Sequence, residues 1–196
     1  MGILLQDCKL VLLSDLNLIC NFECDNKDLN DFFCDDALDY QNQLLGQTSY
    51  FVEPENGEIV CAFTLSNDSI RLDKLPGSIK RRVRKDIPHA KSMSSYPATL
   101  IGRFGVPSKY KGIGIGSQVM NFIKSVTLTE EAFKSRFIIV DSYNNENALK
   151  FYQRNEFQYL FTDEKLEQKH YEKDILSTRF MYFDLMNWAN KLKELF

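Results

Sequence analysis

"KYKGIGIGSQVMNFI", residues Lys109 to Ile123, sets three of the chain's nine glycines at alternate positions, Gly112, Gly114 and Gly116, directly ahead of an amphipathic run. Glycine costs conformational entropy, so its repetition here points to a backbone that must be left bare. The stretch before it, ATLIGRFGV (98–106), reads as a central strand, and the run after it as a helix from about Gly116 to Val126. Strand, glycines and helix together suit an anion. The first amides of a helix have no internal partners, the helix dipole favours negative charge there, and glycine puts no Cβ in the way. A P-loop needs Lys and Ser/Thr after its last glycine, where this chain has Ser117 and Gln118, and the G-x-G-x-x-G dinucleotide spacing is also absent. A tight strand–helix corner would use the same glycines.

Outward from this stretch, 196 residues suffice for one domain with a sizeable core, and 44% apolar with 26% charged residues is ordinary for a soluble globular protein. A net charge of -3 argues against bulk attraction to nucleic acid. It leaves room for a local patch, and KRRVRKDIPHAK (80–91) has six Lys/Arg against one acid, Asp86. That run reads either as a solvated surface helix or loop, or as a phosphate-contacting cluster in which Arg81, Arg82 and Arg84 would meet the substrate. No apolar run approaches a membrane span, and MGILLQDCKL has no basic region ahead of an apolar one, so a cytoplasmic protein without membrane contact is expected. Gly2 follows Met1, but Gln6 stands where a myristoylation signal has Ser or Thr. Five cysteines, with only His89 and His170 as histidines, form no zinc pattern, so reduced thiols and no metal are expected.

Seven β-rich runs can be read along the chain: CKLVLLS (8–14), TSYFV (48–52), IVCAFTLS (59–66), ATLIGRFGV (98–106), RFIIVDSY (136–143), EFQYLF (156–161) and STRFMYFDL (177–185). The second and third form a hairpin around the turn residues of EPENGE. Leu29, Phe32, Phe33 and Ala37 predict a helix capped by Asp25 or Asn26, and NNENALKFYQRN (144–155) a short one capped by Asn144 or Asn145. Residues 67–97 lose periodicity around Pro76, Gly77, Pro88 and Pro97, 163–174 read only as a charged stretch, and MNWANKLKEL closes the chain as a helix.

Two motifs in register resemble those of the GNAT superfamily, the acetyl-CoA-dependent N-acetyltransferases. The first, Q/R-x-x-G-x-G/A at a helix start, is matched by Lys111, Gly112, Ile113, Gly114, Ile115 and Gly116. The second, an Asn, an Ala three later, a Tyr seven later and then Gly-Phe, is matched by Asn145, Ala148, Tyr152, Glu156 and Phe157. Lys111 keeps a cation without the forked guanidinium, and Glu156 stands where the family has glycine.

The resemblance implies one domain over 1–196, with a core at about 8–184 and a C-terminal helix at about 185–196. Its fold would be α/β (α+β): a mixed, mostly antiparallel sheet of about seven strands, splayed at its centre, with helices on both faces. Acetyl-CoA would bind along Phe104 and Val106, its pyrophosphate on Lys111 and the amides of Gly112, Ile113, Gly114, Ile115, Gly116 and Ser117, its pantetheine arm on Asn145. CoA would be the product. Tyr152 would be the catalytic acid: a phenol of pKa about 10 is protonated at neutral pH and can donate to a thiolate whose conjugate acid lies near 8.5. Its ring could otherwise pack beside Phe151.

LIGRFGV (100–106) lacks the glutamate that many members place there, which leans toward an α-amine of pKa about 7.7–8.0 rather than a lysine near 10.4. Asp141, acting through water, is the other candidate base. A further, diluted likeness ties the chain to toxins of toxin–antitoxin pairs that acetylate aminoacyl-tRNA. It rests on Phe22-Glu23-Cys24-Asp25, then Leu29, Phe32 and Phe33, on Thr64-Leu65-Ser66, and on Gly102-Arg103-Phe104-Gly105-Val106-Pro107. It implies an amine acceptor, tRNA and an antitoxin protein as partners, with the oligomeric state open, a homodimer included. The competing class is a catalytically silent acyl-CoA-binding regulatory module.

Overall fold

The computed structural model describes residues 3–90, 93–129 and 134–194. Its strands are β1 (Lys9–Leu12), β2 (Gln47–Val52), β3 (Ile59–Arg71), β4 (Ser95–Gly105), β5 (Phe137–Tyr143), β6 (Gln158–Tyr159) and β7 (Thr178–Asp184). Its helices are α1 (Lys27–Asp31), α2 (Ala37–Asn42), α3 (Gly77–Val83), α4 (Ile115–Thr129), α5 (Glu146–Arg154), α6 (Glu164–Tyr171) and α7 (Leu185–Glu194). The seven strands form one sheet in the order β1-β2-β3-β4-β5-β7-β6. β1–β2, β2–β3, β5–β7 and β6–β7 pair antiparallel, and β4–β5 pair parallel. This is the mixed, mostly antiparallel sheet that the resemblance implied. The β4–β5 register runs from Ala98–Phe137 to Leu100–Ile139, whereas β4 itself continues to Gly105. Among the described residues no helix is long and apolar enough to cross a membrane.

The chain divides into two compact units, Met1–Ser66 with Ile101–Val126, and Asn67–Leu100 with Thr127–Phe196; the division falls within β3 and β4. In the first unit the Asn26 side chain accepts from Leu29 N and starts α1, and Asn30 clasps Cys24 through both its amide N and carbonyl O. The single helix expected there is interrupted: between α1 and α2 the chain makes a π-helical turn, Phe32–Asp36. With that turn Leu29, Phe32, Phe33 and Ala37 are all buried, beside Leu13, Ile19, Phe22, Tyr50 and Ala62. A Cβ on Gly105 would lie 2.7 Å from the Phe22 ring, so glycine lets the end of β4 approach this aromatic group. Buried Thr48 and Thr64 join β2 to β3 through a 2.7 Å hydroxyl bond.

The second unit contains the largest departures from the sequence reading. The segment expected to be aperiodic carries the end of β3, then α3, then the start of β4. Leu72, Leu75, Ile79 and Val83 lie at spacings of three and four and bury against Tyr96, Phe137, Ile139 and Tyr182. Pro76 does not break this pattern because it sits at the N-cap, ahead of the helical hydrogen bonds. The charged stretch also forms a helix, α6: Asp163 caps it by accepting from Lys165 N, and Glu167 is buried. β6 is shorter than predicted.

Candidate functional site

In the first unit Tyr110 fixes the approach to the glycine loop. Its ring is buried, and its hydroxyl donates to Glu53 and Glu58 of the β2–β3 turn. Burial and these two carboxylates push the phenol well above its usual range, so it stays a donor. Lys109 pairs with Glu58. The chain then enters the loop with Gly112 at φ +77° and Gly114 at φ +90°, conformations that side chains rarely adopt. A Cβ at either position would meet nothing within 4 Å. These glycines therefore serve a strained turn and an open approach, whereas Gly105 serves packing.

α4 begins at Ile115, which is fully buried and anchors the helix start. Gln118 is the first residue whose amide reaches a carbonyl one turn back, that of Gly114 at 3.1 Å. The amides of Ile115, Gly116 and Ser117 precede it, as the unsatisfied donors of a helix start. The loop is exposed, Ile113 included at 50%. The expected cation, Lys111, is also exposed, but its ammonium lies 2.7 Å from Asp25, which accepts in addition from the Ser108 hydroxyl. These contacts hold the Asp25 carboxyl below its usual range, chiefly through the Lys111 and Ser108 hydrogen bonds. Asp25 was read as a helix cap and as part of the toxin-like pattern, not as an ion-pair partner; it stands 86 residues from Lys111, a pairing without a local signature. Phe104 and Val106 are half-buried at and just beyond the end of β4.

In the second unit the Asn145 side chain caps α5 by accepting from Ala148 N at 2.9 Å, which leaves its amide nitrogen to donate elsewhere. Tyr152, on the buried face of α5, meets Phe151 and Phe157 edge to face at 5.2 and 5.3 Å. Its aromatic packing is thus real. Glu156 adopts φ +67°, the glycine-like conformation of the position it fills, and pairs with Lys191.

The basic segment is less available than its composition suggests. Arg82 donates to the carbonyls of Tyr159 (3.1 Å) and Leu160, and Arg84 to that of Met93 (2.9 Å). Lys80 reaches the Asp73 carbonyl. Arg81 and Lys85 are exposed, and Lys91 lies outside the described residues. Two of the three arginines expected to meet a substrate thus stitch their own unit together. Sequence reasoning also missed a concavity of about 350 Å³ in this unit, lined by Asp141, Tyr171 and Lys173 among others. Among the described residues no cluster of His, Cys, Asp and Glu could hold a metal ion, and the five cysteines are free thiols.

No curated protein matches the chain by sequence. Solved structures do match its fold. AtaT complexed with acetyl-methionyl-tRNAfMet shares 18% identity at TM-score 0.65, over 95% of this chain and 99% of that one. A tyrosine-to-phenylalanine mutant of KacT shares 18% at TM-score 0.66, over 97% and 100%. AtaTR bound with acetyl-CoA shares 17% at TM-score 0.64, over 95% and 99%. The family model for the acetyltransferase (GNAT) family matches residues 12–157. The protein therefore belongs to the GNAT family of acetyltransferases.

Proposed function

We propose that the chain acts as one domain, an acetyl-CoA-dependent N-acetyltransferase that passes acetyl to a primary amine by direct attack in a ternary complex. The observation that carries this reading is the loop. Gly112 and Gly114 turn through positive φ with open space above them, at the head of a helix whose first amides have no carbonyl to meet. That arrangement fits a pyrophosphate, to which these amides and Lys111 donate. Phe104 and Val106 offer β4 backbone to the pantetheine arm, and Asn145 its free amide nitrogen. Tyr152 gives its proton to the departing thiolate.

The acceptor favoured is an α-amine, including that of an aminoacyl-tRNA. In support, β4 offers no carboxylate to deprotonate a lysine-like amine, and the fold is shared with AtaT, which is seen with acetyl-methionyl-tRNAfMet. An antitoxin protein is the partner that this resemblance suggests. Among the described residues of the basic segment, Arg81 and Lys85 are the exposed cations for a tRNA backbone. Thiol release from acetyl-CoA, measured against small amines and charged tRNA, tests the proposal. Release with charged tRNA that weakens steeply with salt supports the toxin-like acceptor. Salt-insensitive release with a small amine points to a metabolic one, and binding without release leaves the silent acyl-CoA module.

A further inference from the structure

The concavity of the second unit is built from β5, α6, β7 and the turn before β7. In the β5–β7 register Asp141 stands opposite Phe180. Glu167, the other carboxylate in the wall, is already spent: it accepts from Arg179 Nε at 2.5 Å and from Phe180 N at 2.9 Å, and Arg179 also donates to the Phe161 carbonyl. No cation pairs with Asp141 among the described residues. Its carboxyl is held above the usual range by burial and by the carboxylates of Asp68 and Glu167, with Lys173 pulling the other way. With Glu167 already engaged and no ion pair on Asp141 among the described residues, the Asp141 carboxylate is the acidic group in the wall left open to a cation.

That cation is organic, because no metal-binding cluster exists among the described residues. Leu176, Phe180 and the Tyr171 ring supply apolar wall beside Asp141, and about 350 Å³ suits a group the size of one amino acid. The Tyr171 phenol, pushed up to about 12 chiefly by burial, remains a neutral donor. Lys173 decides the rest. An ammonium in the same wall repels a second positive charge on the ligand and attracts a carbonyl or carboxylate oxygen.

We infer that this cavity binds an α-amino carbonyl group, its ammonium on Asp141 and its carbonyl or carboxylate oxygen toward Lys173. The inference deepens the proposed function, since such a group would be the acetyl acceptor, but the binding stands on its own geometry. Calorimetry on the full chain uses four probes: leucine methyl ester, free leucine, N-acetyl-leucine methyl ester and spermidine. The ester or free leucine is expected to bind at least about tenfold more tightly than the N-acetylated ester and spermidine, and Asp141→Asn to remove about tenfold of that affinity. Lys173→Met should erase the preference over spermidine. The relative affinities of ester and free leucine tell an esterified acceptor from a free amino acid. Equal binding of the N-acetylated ester, or an Asp141→Asn variant that binds as well as wild type, overturns the inference. Thermal stabilisation by acetyl-CoA is measured in parallel. Its absence with intact Asp141-dependent amine binding defeats the transferase reading alone, and its presence without amine binding defeats this inference alone.

Discussion

The glycine loop and the arginines of α3 dispose of charge in opposite ways. Around Gly112–Ser117 the backbone leaves donors without carbonyl partners, in the open, and the nearby cation is tied by an exposed pair. Along α3 the cations are numerous, but Arg82 and Arg84 turn theirs onto carbonyls of their own unit. An anion site is made of what a fold leaves unsatisfied rather than of positive charge counted along the chain. The less basic of the two regions is therefore the better place for a phosphate.

The largest effect expected comes from filling the loop. Gly114→Asp puts a side chain and a negative charge into the open space above a φ of +90°. If the loop holds acetyl-CoA, the ligand should raise the melting temperature of wild type by binding only the folded state, and this variant should show no shift and no turnover. An unchanged shift would move the pyrophosphate elsewhere. Tyr152→Phe should separate binding from chemistry. The ring contacts with Phe151 and Phe157 survive, so the acetyl-CoA shift persists, while kcat falls roughly 100- to 10,000-fold. Full kcat in this variant would reduce Tyr152 to packing.

The arginines should fail in the other currency. Arg82→Ala loses charge-assisted bonds to two carbonyls and should cost about 1.5–3 kcal/mol in urea denaturation, with the acetyl-CoA shift retained. Exposed Arg81→Ala should stay within about 0.5 kcal/mol, while weakening any tRNA acceptor and flattening its salt dependence. If Arg82→Ala were neutral in stability and severe in substrate affinity, the contrast between the regions would collapse.

These two regions also show what can be read without coordinates. The loop was legible because its chemistry is local: glycine has few reasons to recur, and a helix start follows it by sequence alone. Asn145 as a cap, and the seven strands, were legible for the same reason. The direction of an arginine is not local. Nothing in KRRVRK says that Tyr159 and Leu160, some 77 residues on, offer carbonyls to Arg82. α3 itself was hidden because Pro76 and Gly77 read as breakers, although Pro76 only precedes the helix. The π-helical turn at Phe32–Asp36 left the apolar spacing nearly intact and so left no trace. Glu156 is the reverse case. Its φ of +67° was signalled by the family's glycine, although its own residue type argues against that conformation.

The smallest effect expected concerns the cation of the loop itself. Lys111 is engaged, as Arg82 is, but by a partner as exposed as itself: the side chains are 46% and 67% accessible. A pair in water exchanges easily, so Asp25 acts as a weak competitor for the ammonium that a pyrophosphate needs. Asp25→Asn keeps a hydrogen-bond acceptor for Ser108, removes the competing charge, and should tighten acetyl-CoA binding a few-fold. The gain should shrink as salt rises. The sign with pH follows from the lowered carboxyl. Its contribution to folding is present above the unfolded carboxylate pKa of about 3.9 and is lost as pH falls through the lower folded value. Across neutral pH Asp25 therefore stays ionised, and the difference between wild type and Asp25→Asn should be flat from about pH 6 to 8. Weaker binding in Asp25→Asn would mean instead that Asp25 holds Ser108 and Lys111 in place for the ligand, so that the loop, like α3, spends its cation on architecture.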